Sequence, residues 1–294
     1  MSTTTRLGLG FMRVLAHAPL PLVRGLGRFL GHVLHAVAVP RRHVVDTNLA
    51  LCFPQKSAAE RRAIARETFV FVAQSWLDRS WLWHAPEAVV ASRLRVVGAA
   101  CEIEEIAHGT APMILFAPHF YGLDAAATAL TMHTARASNT IYTPQRNVLV
   151  DAWIREGRGR FGNVITLNRG DGIKPILQGL RKNGLLYLLP DMDFGRDHTV
   201  FVPFFGVQAS TIPSLSRFSR LGRAKVVPVL SRLTRTGYEI EVLPAWQDFP
   251  SDDAVADTAL MNERLQGYID TMPSQYYWVH RRFKTRPEGE PPVY

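Results

Sequence analysis

The sequence predicts an α/β fold, a central mixed sheet flanked by helices, with a membrane-associated helix at the amino terminus. Three observations carry this. Short apolar runs alternate with helical segments along most of the chain, the pattern of a sheet whose strands are covered by helices. At 47% hydrophobic and 20% charged residues, the 294-residue chain has enough apolar surface to bury a substantial core. The first 45 residues stand apart: Met1 to Val45 contains no Asp or Glu, while Arg6, Arg13, Arg24, Arg28, Arg41 and Arg42 are all basic.

Within that segment "LVRGLGRFLGHVLHAVAV", Leu22 to Val39, approaches the length of a membrane span. Arg24 and Arg28, four residues apart, share a helical face, which favours a helix lying in the membrane interface. The other reading is an ordinary amphipathic helix packed on the domain. A cleaved signal peptide fits poorly, because there is neither an uninterrupted apolar core nor a convincing small-residue cleavage site. No internal repeat or low-complexity linker follows, so residues 46–294 read as one domain behind an anchoring region at 1–45. Ser57 to Glu60, "SAAE", has capping-box spacing and should open a long helix running towards Trp83. Strands are expected at Arg93–Val97, Met113–Ala117, Thr140–Tyr142, Val164–Leu167, Leu185–Leu189, Lys225–Ser231 and Glu239–Leu243. Helices are expected at Leu123–Met132, Leu149–Arg158, Gly172–Lys182, Ile212–Leu221 and Ala254–Met272. In sheets of this kind the ligand site lies beyond the carboxyl ends of the strands.

A formal charge of +9 points to an anionic partner: nucleic acid, an anionic membrane face or a phosphorylated substrate. Charge does not choose among them. Cys52 and Cys101 are the only cysteines, far apart and without metal-ligand spacing, so neither a disulfide scaffold nor a zinc site is indicated and a reducing compartment is the simpler reading.

His119 falls just past the strand expected at Met113–Ala117, in "HFYGLD". Gly122 permits a sharp turn, and Asp124 then lies in the first turn of the next helix, where a carboxylate is favoured. Asp124 could hold the imidazole in one tautomer, leaving the other nitrogen to take a proton from a hydroxyl. The plainer alternative is a loop histidine beside a capping aspartate. No G-x-S-x-G elbow and no cysteine accompany His119, so the pair suggests activation of the substrate's own hydroxyl and direct transfer. "GRGRFG", Gly157 to Gly162, matches the dinucleotide fingerprint by letter but follows a helix rather than a strand. Its Arg158 and Arg160 could clamp a phosphate or carboxylate, or be two solvated arginines. "PDMDFG" places Asp191 and Asp193 at another strand end, a weak metal signal and at least as good a partner for an arginine. No metal and no cofactor is expected. "FVPFFG", Phe201 to Gly206, is either core or the lining of an apolar channel. In "YYWVHRRFKTRPEG", an extended chain would align His280, Arg282, Lys284 and Arg286 as a phosphate-binding ridge, with Arg281 opposite. Tyr276, Tyr277 and Trp278 would sit at a membrane interface. A nucleic-acid-binding protein could use the same aromatic–basic mixture, but that reading leaves the apolar amino terminus and His119 unexplained.

Taken in order, "TNLALCFP", "HFYGLD", "YTPQRNVLVDAW" with "GRGRFG", "PDMDFG", "VFVPFFG" and "QYYWVHRRFKTRPEG" resemble the late acyltransferases of lipid A biosynthesis, the lauroyl and myristoyl transferases of Gram-negative bacteria. The resemblance covers nearly the whole chain and implies a glycerolipid-acyltransferase-like fold. It implies an enzyme on the cytoplasmic face of the bacterial inner membrane that moves a fatty acyl group from acyl carrier protein to a hydroxyl of a Kdo-linked lipid A precursor, with no nucleic-acid partner. The family's His-x4-Asp/Glu motif falls on His119 and Asp124, its functional arginine on Arg158 and its P-D-x-D aspartate on Asp191. Arg160, Arg281, Arg282, Lys284 and Arg286 are then candidates for the acceptor's phosphates and sugar-acid carboxylates. Val148 stands where the family has the proline of N-P-L. Related enzymes that acylate another glycolipid or an aminolipid are the competing reading, and a lipid carrier without activity is disfavoured by the intact pair.

Overall fold

The computed structural model describes residues 3–182 and 184–294, with no account of the Arg169 side chain; Met1 and Ser2 of the expected anchoring region lie outside it. In chain order the elements are α1 (Thr3–Leu15), α2 (Leu20–Val37), α3 (Val39–Cys52), α4 (Ala58–His84), α5 (Glu87–Ser92), β1 (Leu94–Gly98), α6 (Ala100–His108), β2 (Met113–Phe116), α7 (Leu123–Met132), β3 (Ala137–Tyr142), α8 (Val148–Arg158) and β4 (Asn163–Asn168). They continue with α9 (Ile173–Arg181), β5 (Leu185–Leu188), β6 (Val200–Phe204), β7 (Val207–Thr211), α10 (Ser214–Gly222), β8 (Lys225–Leu233), β9 (Tyr238–Val242) and α11 (Ala254–Asp270).

Seven strands form one mixed sheet in the order β1-β9-β8-β2-β5-β3-β4. Only β8 and β9 are antiparallel; every other neighbouring pair is parallel. The central strands β2 and β5 are four-residue apolar runs, MILF and LLYL, buried at every position. Such unbroken runs are what strands covered on both faces require. One face packs Ile114, Phe116, Leu186 and Leu188 against Ile176 of α9, Leu215 of α10 and Leu265 of α11. The other packs Met113, Leu115, Leu185 and Tyr187 against α7, Trp153 of α8 and the end of α4.

Strands β6 and β7 form a separate antiparallel hairpin that sequence reading missed. Its two-residue turn, Phe205-Gly206, has φ of 51° and 76°, the left-handed geometry of a tight hairpin. Pro203 argues against a central strand, and here it is exposed in a two-stranded ribbon. The hairpin places Phe204 in the core, so of the two readings of "FVPFFG" the core one holds.

The expected single basic helix at the amino terminus is three helices, broken around Pro19 and at Ala38. No single helix among the described residues is long and apolar enough to cross a membrane; α2 and α3 pass that test together but bend by 91°. Helix α2 lies against α4 through Gly27 and Gly31: a Cβ at Gly31 would come within 2.4 Å of the Val70 Cα. Arg24, on this packed side, is buried rather than interfacial: its Nη2 lies 3.1 Å from Asp78 Oδ2 and donates to the Gly237 carbonyl. Trp81 Nε1 and the Tyr238 hydroxyl also donate to Asp78, so this carboxylate joins α2, α4 and β9. Arg28 is exposed and pairs with Glu67. The outward side keeps Leu7, Phe11 and Val14 of α1 and Leu22, Phe29, Val33 and Val37 of α2 in solvent.

Candidate active site

Parallel pairing builds the centre of the site. Strands β2 and β5 are neighbours with Phe116 opposite Leu188, and the Ala117 N–H donates to the Leu188 carbonyl at 3.0 Å. Three residues beyond each partner stand His119 and Asp191. His119 Nδ1 lies 2.7 Å from Asp191 Oδ1, and the His119 backbone N–H donates to Asp191 Oδ2 at 2.9 Å. One carboxylate therefore fixes both the ring and its backbone. The loop is held from the other side by the Tyr121 N–H, which donates to the Gln275 carbonyl at 3.0 Å.

Asp191 is fully buried while His119 is partly open. Burial pushes the Asp191 carboxyl up, but the His119 charge and the hydrogen bonds from its ring and backbone outweigh this and hold it below its ordinary value. An ionised Asp191 accepting from Nδ1–H leaves the Nε2 lone pair free.

The expected His119–Asp124 pair is not what the geometry contains. Gly122 and the first turn of α7 do place Asp124 beside the site, but its two oxygens face arginines: Arg158 Nε donates to Oδ1 at 2.9 Å and Arg79 Nε to Oδ2 at 2.8 Å. Burial raises the Asp124 carboxyl, but the charges and hydrogen bonds of Arg158 and Arg79 outweigh this, for a net downward shift. The physical reason for the different pairing is that α7 carries Asp124 away from the loop towards α4 and α8. Arg79 escaped sequence reading; its signal was an arginine, next to Asp78, in the tryptophan-rich stretch of α4.

His119, Asp124, Arg79 and Arg158 line a cavity of ~1000 Å³. It has two arms, one on each face of the sheet. In parallel pairing, register partners share a face, so Ser138, Leu185 and Tyr187 line the α7 side together with Leu115, Ala127 and Leu130. Ile141, Leu188, Ile173, Ile176 and Phe218 line the opposite side, under α9 and α10. The arms meet past the carboxyl ends of the strands, where His119, Leu189 and Pro190 face the cavity.

The remaining candidates divide. Arg160 donates to the carbonyls of Leu82 and Ala85 at the end of α4. Asp193 accepts from the backbone and hydroxyl of Thr285 and from the Gly195 N–H, a structural knot. The expected C-terminal ridge does not form, because residues 277–294 alternate short turns with irregular chain and build no strand. Arg282 is 1% exposed and donates to the Ser210 carbonyl and the Thr211 hydroxyl, out of reach of a substrate. Tyr276 and Trp278 are buried rather than interfacial. Arg286 is held by the Gln208 carbonyl and Glu290. Arg281 and Lys284 are exposed.

An α/β sheet with a histidine–carboxylate pair opening on a long, two-armed apolar cavity defines a class of protein equipped to act on chain-like lipids. The sequence matches the family described as bacterial lipid A biosynthesis acyltransferase over residues 2–285. It is 34% identical over 287 residues to a lipid A biosynthesis acyltransferase of Haemophilus influenzae, covering 97% of this chain and 88% of that protein. It is 32% identical to the lipid A biosynthesis lauroyltransferase of Escherichia coli, covering 99% of this chain and 94% of that one. To the lipid A biosynthesis myristoyltransferase of the same organism it is also 32% identical, with 97% and 88% covered. The chain belongs to the bacterial lipid A biosynthesis acyltransferases and is an O-acyltransferase of that pathway.

Proposed function

We propose that the enzyme moves a fatty acyl group from the thioester of acyl carrier protein to a hydroxyl on an acyl chain of a Kdo-linked lipid A precursor, at the cytoplasmic face of the inner membrane. His119 Nε2 removes the hydroxyl proton as the oxygen attacks the thioester carbon. The C–S bond then breaks, and the same nitrogen returns the proton to the departing thiolate. Asp191 keeps the proton of Nδ1 in place and stabilises the imidazolium between these steps. Asp124 holds Arg79 and Arg158 at the cavity wall, where their net positive charge meets the oxyanion or an acceptor phosphate. The reading includes no covalent acyl-enzyme: the hydroxyl of the acceptor is itself the nucleophile, activated by His119.

The observation that carries this reading is the 2.7 Å contact between His119 Nδ1 and the buried Asp191, at the rim of a cavity with apolar arms. The apolar outer sides of α1 and α2, flanked by exposed Arg6, Arg13 and Arg28, support a seat in an anionic membrane surface. Exposed Arg281 and Lys284 supply positive charge for an acidic carrier protein. The test is mass spectrometry of the product after incubating purified enzyme with acyl carrier protein thioesters and the Kdo-linked precursor. A gain of one acyl ester on the precursor is expected. Absence of that product, with acylation of another glycolipid or an aminolipid by the same protein, would replace the acceptor.

A further inference from the structure

The reaction proposed above joins two molecules whose reacting groups each sit on an aliphatic chain, and the cavity has two apolar arms that meet at His119. We infer that the arms are separate chain-binding sites: the arm under α7 takes the donor's fatty acyl chain, and the arm under α9 and α10 takes the hydroxyacyl chain of the acceptor. This inference rests on the acyl-transfer reading and adds to it where each chain lies.

The division follows from the shapes and walls of the arms. The α7 arm runs down the strands from His119 to Leu185, which is paired with Met113 six residues before His119. The strand part of that run, Met113–Phe116, spans roughly 10 Å at about 3.3 Å per residue, and the loop from Ala117 to His119 continues it to the mouth. Its deep end is shut. Leu185 and Leu130 are buried there, Ser138 is 8% exposed, and the start of β4 closes on the end of α7 so tightly that a Cβ at Gly162 would lie 2.5 Å from the Thr131 carbonyl oxygen. A blind slot of fixed depth suits a chain delivered alone, by its thioester end. The opposite arm has an open lip: Phe194 is 39% exposed, Asp197 and His198 are exposed beside it, and all three line the cavity. A wall that is apolar inside and polar at an open edge suits one chain of a larger amphiphile whose head group and other chains stay outside.

The sheet itself keeps the chains apart. Strands β2, β5 and β3 are hydrogen-bonded without a gap between the two arms, so the chains can meet only beyond the strand ends, at the histidine. Positioning of the thioester carbon against the hydroxyl oxygen would then follow from burying both tails.

The test uses purified full-length enzyme, acyl carrier protein loaded with saturated chains of graded length, and the Kdo-linked precursor. Ala127→Leu narrows the α7 arm and Ile141→Trp the other. Each methylene that loses its buried place costs about fourfold in relative kcat/KM, so Ala127→Leu is expected to shift the preferred donor shorter and to penalise the longest donor more than tenfold, with acceptor KM unchanged. Ile141→Trp is expected to raise acceptor KM at least tenfold with the donor-length profile unchanged. A readout independent of turnover is the stoichiometry of a fluorescent fatty acid: two chains per wild-type protein, one in each folded variant. One chain in the wild type, or a donor profile untouched by a folded Ala127→Leu protein, overturns the proposal. So does the exchanged pattern, with Ala127→Leu moving acceptor KM alone. If wild-type enzyme fails to acylate the precursor yet still binds two chains, the reaction is at fault and not the two sites.

Discussion

Replacing Asp191 by asparagine tests the centre of the mechanism with almost no change of shape. In the native protein both Asp191 oxygens accept, one from the His119 ring and one from its backbone N–H. An amide offers one oxygen and one NH2 group. If its oxygen keeps the backbone N–H, its NH2 must donate to Nδ1, which moves the ring proton to Nε2 and removes the lone pair that would take the hydroxyl proton. If the oxygen keeps the ring, NH2 faces N–H. Either way the imidazolium loses the fully buried counter-charge beside it. Loss of a general base and its orientation is worth about 10²- to 10⁴-fold in rate, or roughly 3–5 kcal/mol of barrier. Single-turnover transfer from acyl carrier protein should fall by that amount with donor KM little changed, while circular dichroism reports a folded protein. Where the amide oxygen keeps the backbone N–H, nitrogen NMR of His119 should show the proton moved from Nδ1 to Nε2. A folded Asp191→Asn enzyme within tenfold of normal turnover would refute the reasoning and leave the 2.7 Å contact a structural one.

Asp124→Asn should act differently: it leaves Arg79 and Arg158 facing an uncharged amide in a buried place, at a cost of about 3–5 kcal/mol in stability, read as a fall in urea midpoint; an unchanged midpoint would contradict it. The His280 imidazole is pushed down to about 4, first by burial and then by His119 and Arg282. Its folded state therefore stays neutral where the unfolded chain takes up a proton, so the stability it contributes is complete above the ordinary value of 6.5 and falls between 6.5 and about 4. The loss is up to ~3 kcal/mol; His280→Gln should flatten that part of the urea-midpoint profile, and an unchanged profile would count against it. Changing Phe11, Phe29 and Val37 together to serine should weaken sedimentation with anionic vesicles by at least ~100-fold, at about 1.5–3 kcal/mol for each large side chain buried; undiminished sedimentation would move the membrane seat elsewhere. Dialysis against a chelator should leave transfer intact, since a direct transfer from thioester to hydroxyl through a general base needs no metal ion; recovery of a lost activity by one divalent ion would overturn this.

Local patterns were legible and long-range pairings were not. The runs at Met113 and Leu185 announced strands, the capping box at Ser57 is present in both its hydrogen bonds, and Leu123–Met132 is helical over the whole range expected. These features depend on side chains within a few residues of each other. The partner of His119 does not. Asp124 stands five residues away along the chain, and nothing in that interval reveals that α7 turns it towards α4. Asp191 is 72 residues away and comes into reach because β5 is the neighbour of β2 and is paired in register. Sheet order is a property of the assembled core, invisible to spacing.

The same limit governs the arginines. Arg24 and Arg28 look equivalent on a helical face, yet Arg24 is buried because Asp78, far along the chain, waits beneath it on α4, and because Gly27 and Gly31 let the two helices approach closely. Arg282 looks like part of a basic ridge, yet the preceding chain turns and sends it beneath β7. A charge pattern identifies where cations occur in sequence; whether each meets solvent, a carboxylate or a ligand is decided by the elements that fold over it. That is why the amino-terminal segment reads correctly as apolar and basic but wrongly as one helix with one face. Its inner side belongs to the protein, through Arg24 and the two glycines, while its outer side, with Phe29, Val33 and Val37, is exposed. The membrane seat proposed above and the observed packing on the domain are therefore compatible, because they would use opposite sides of one helix.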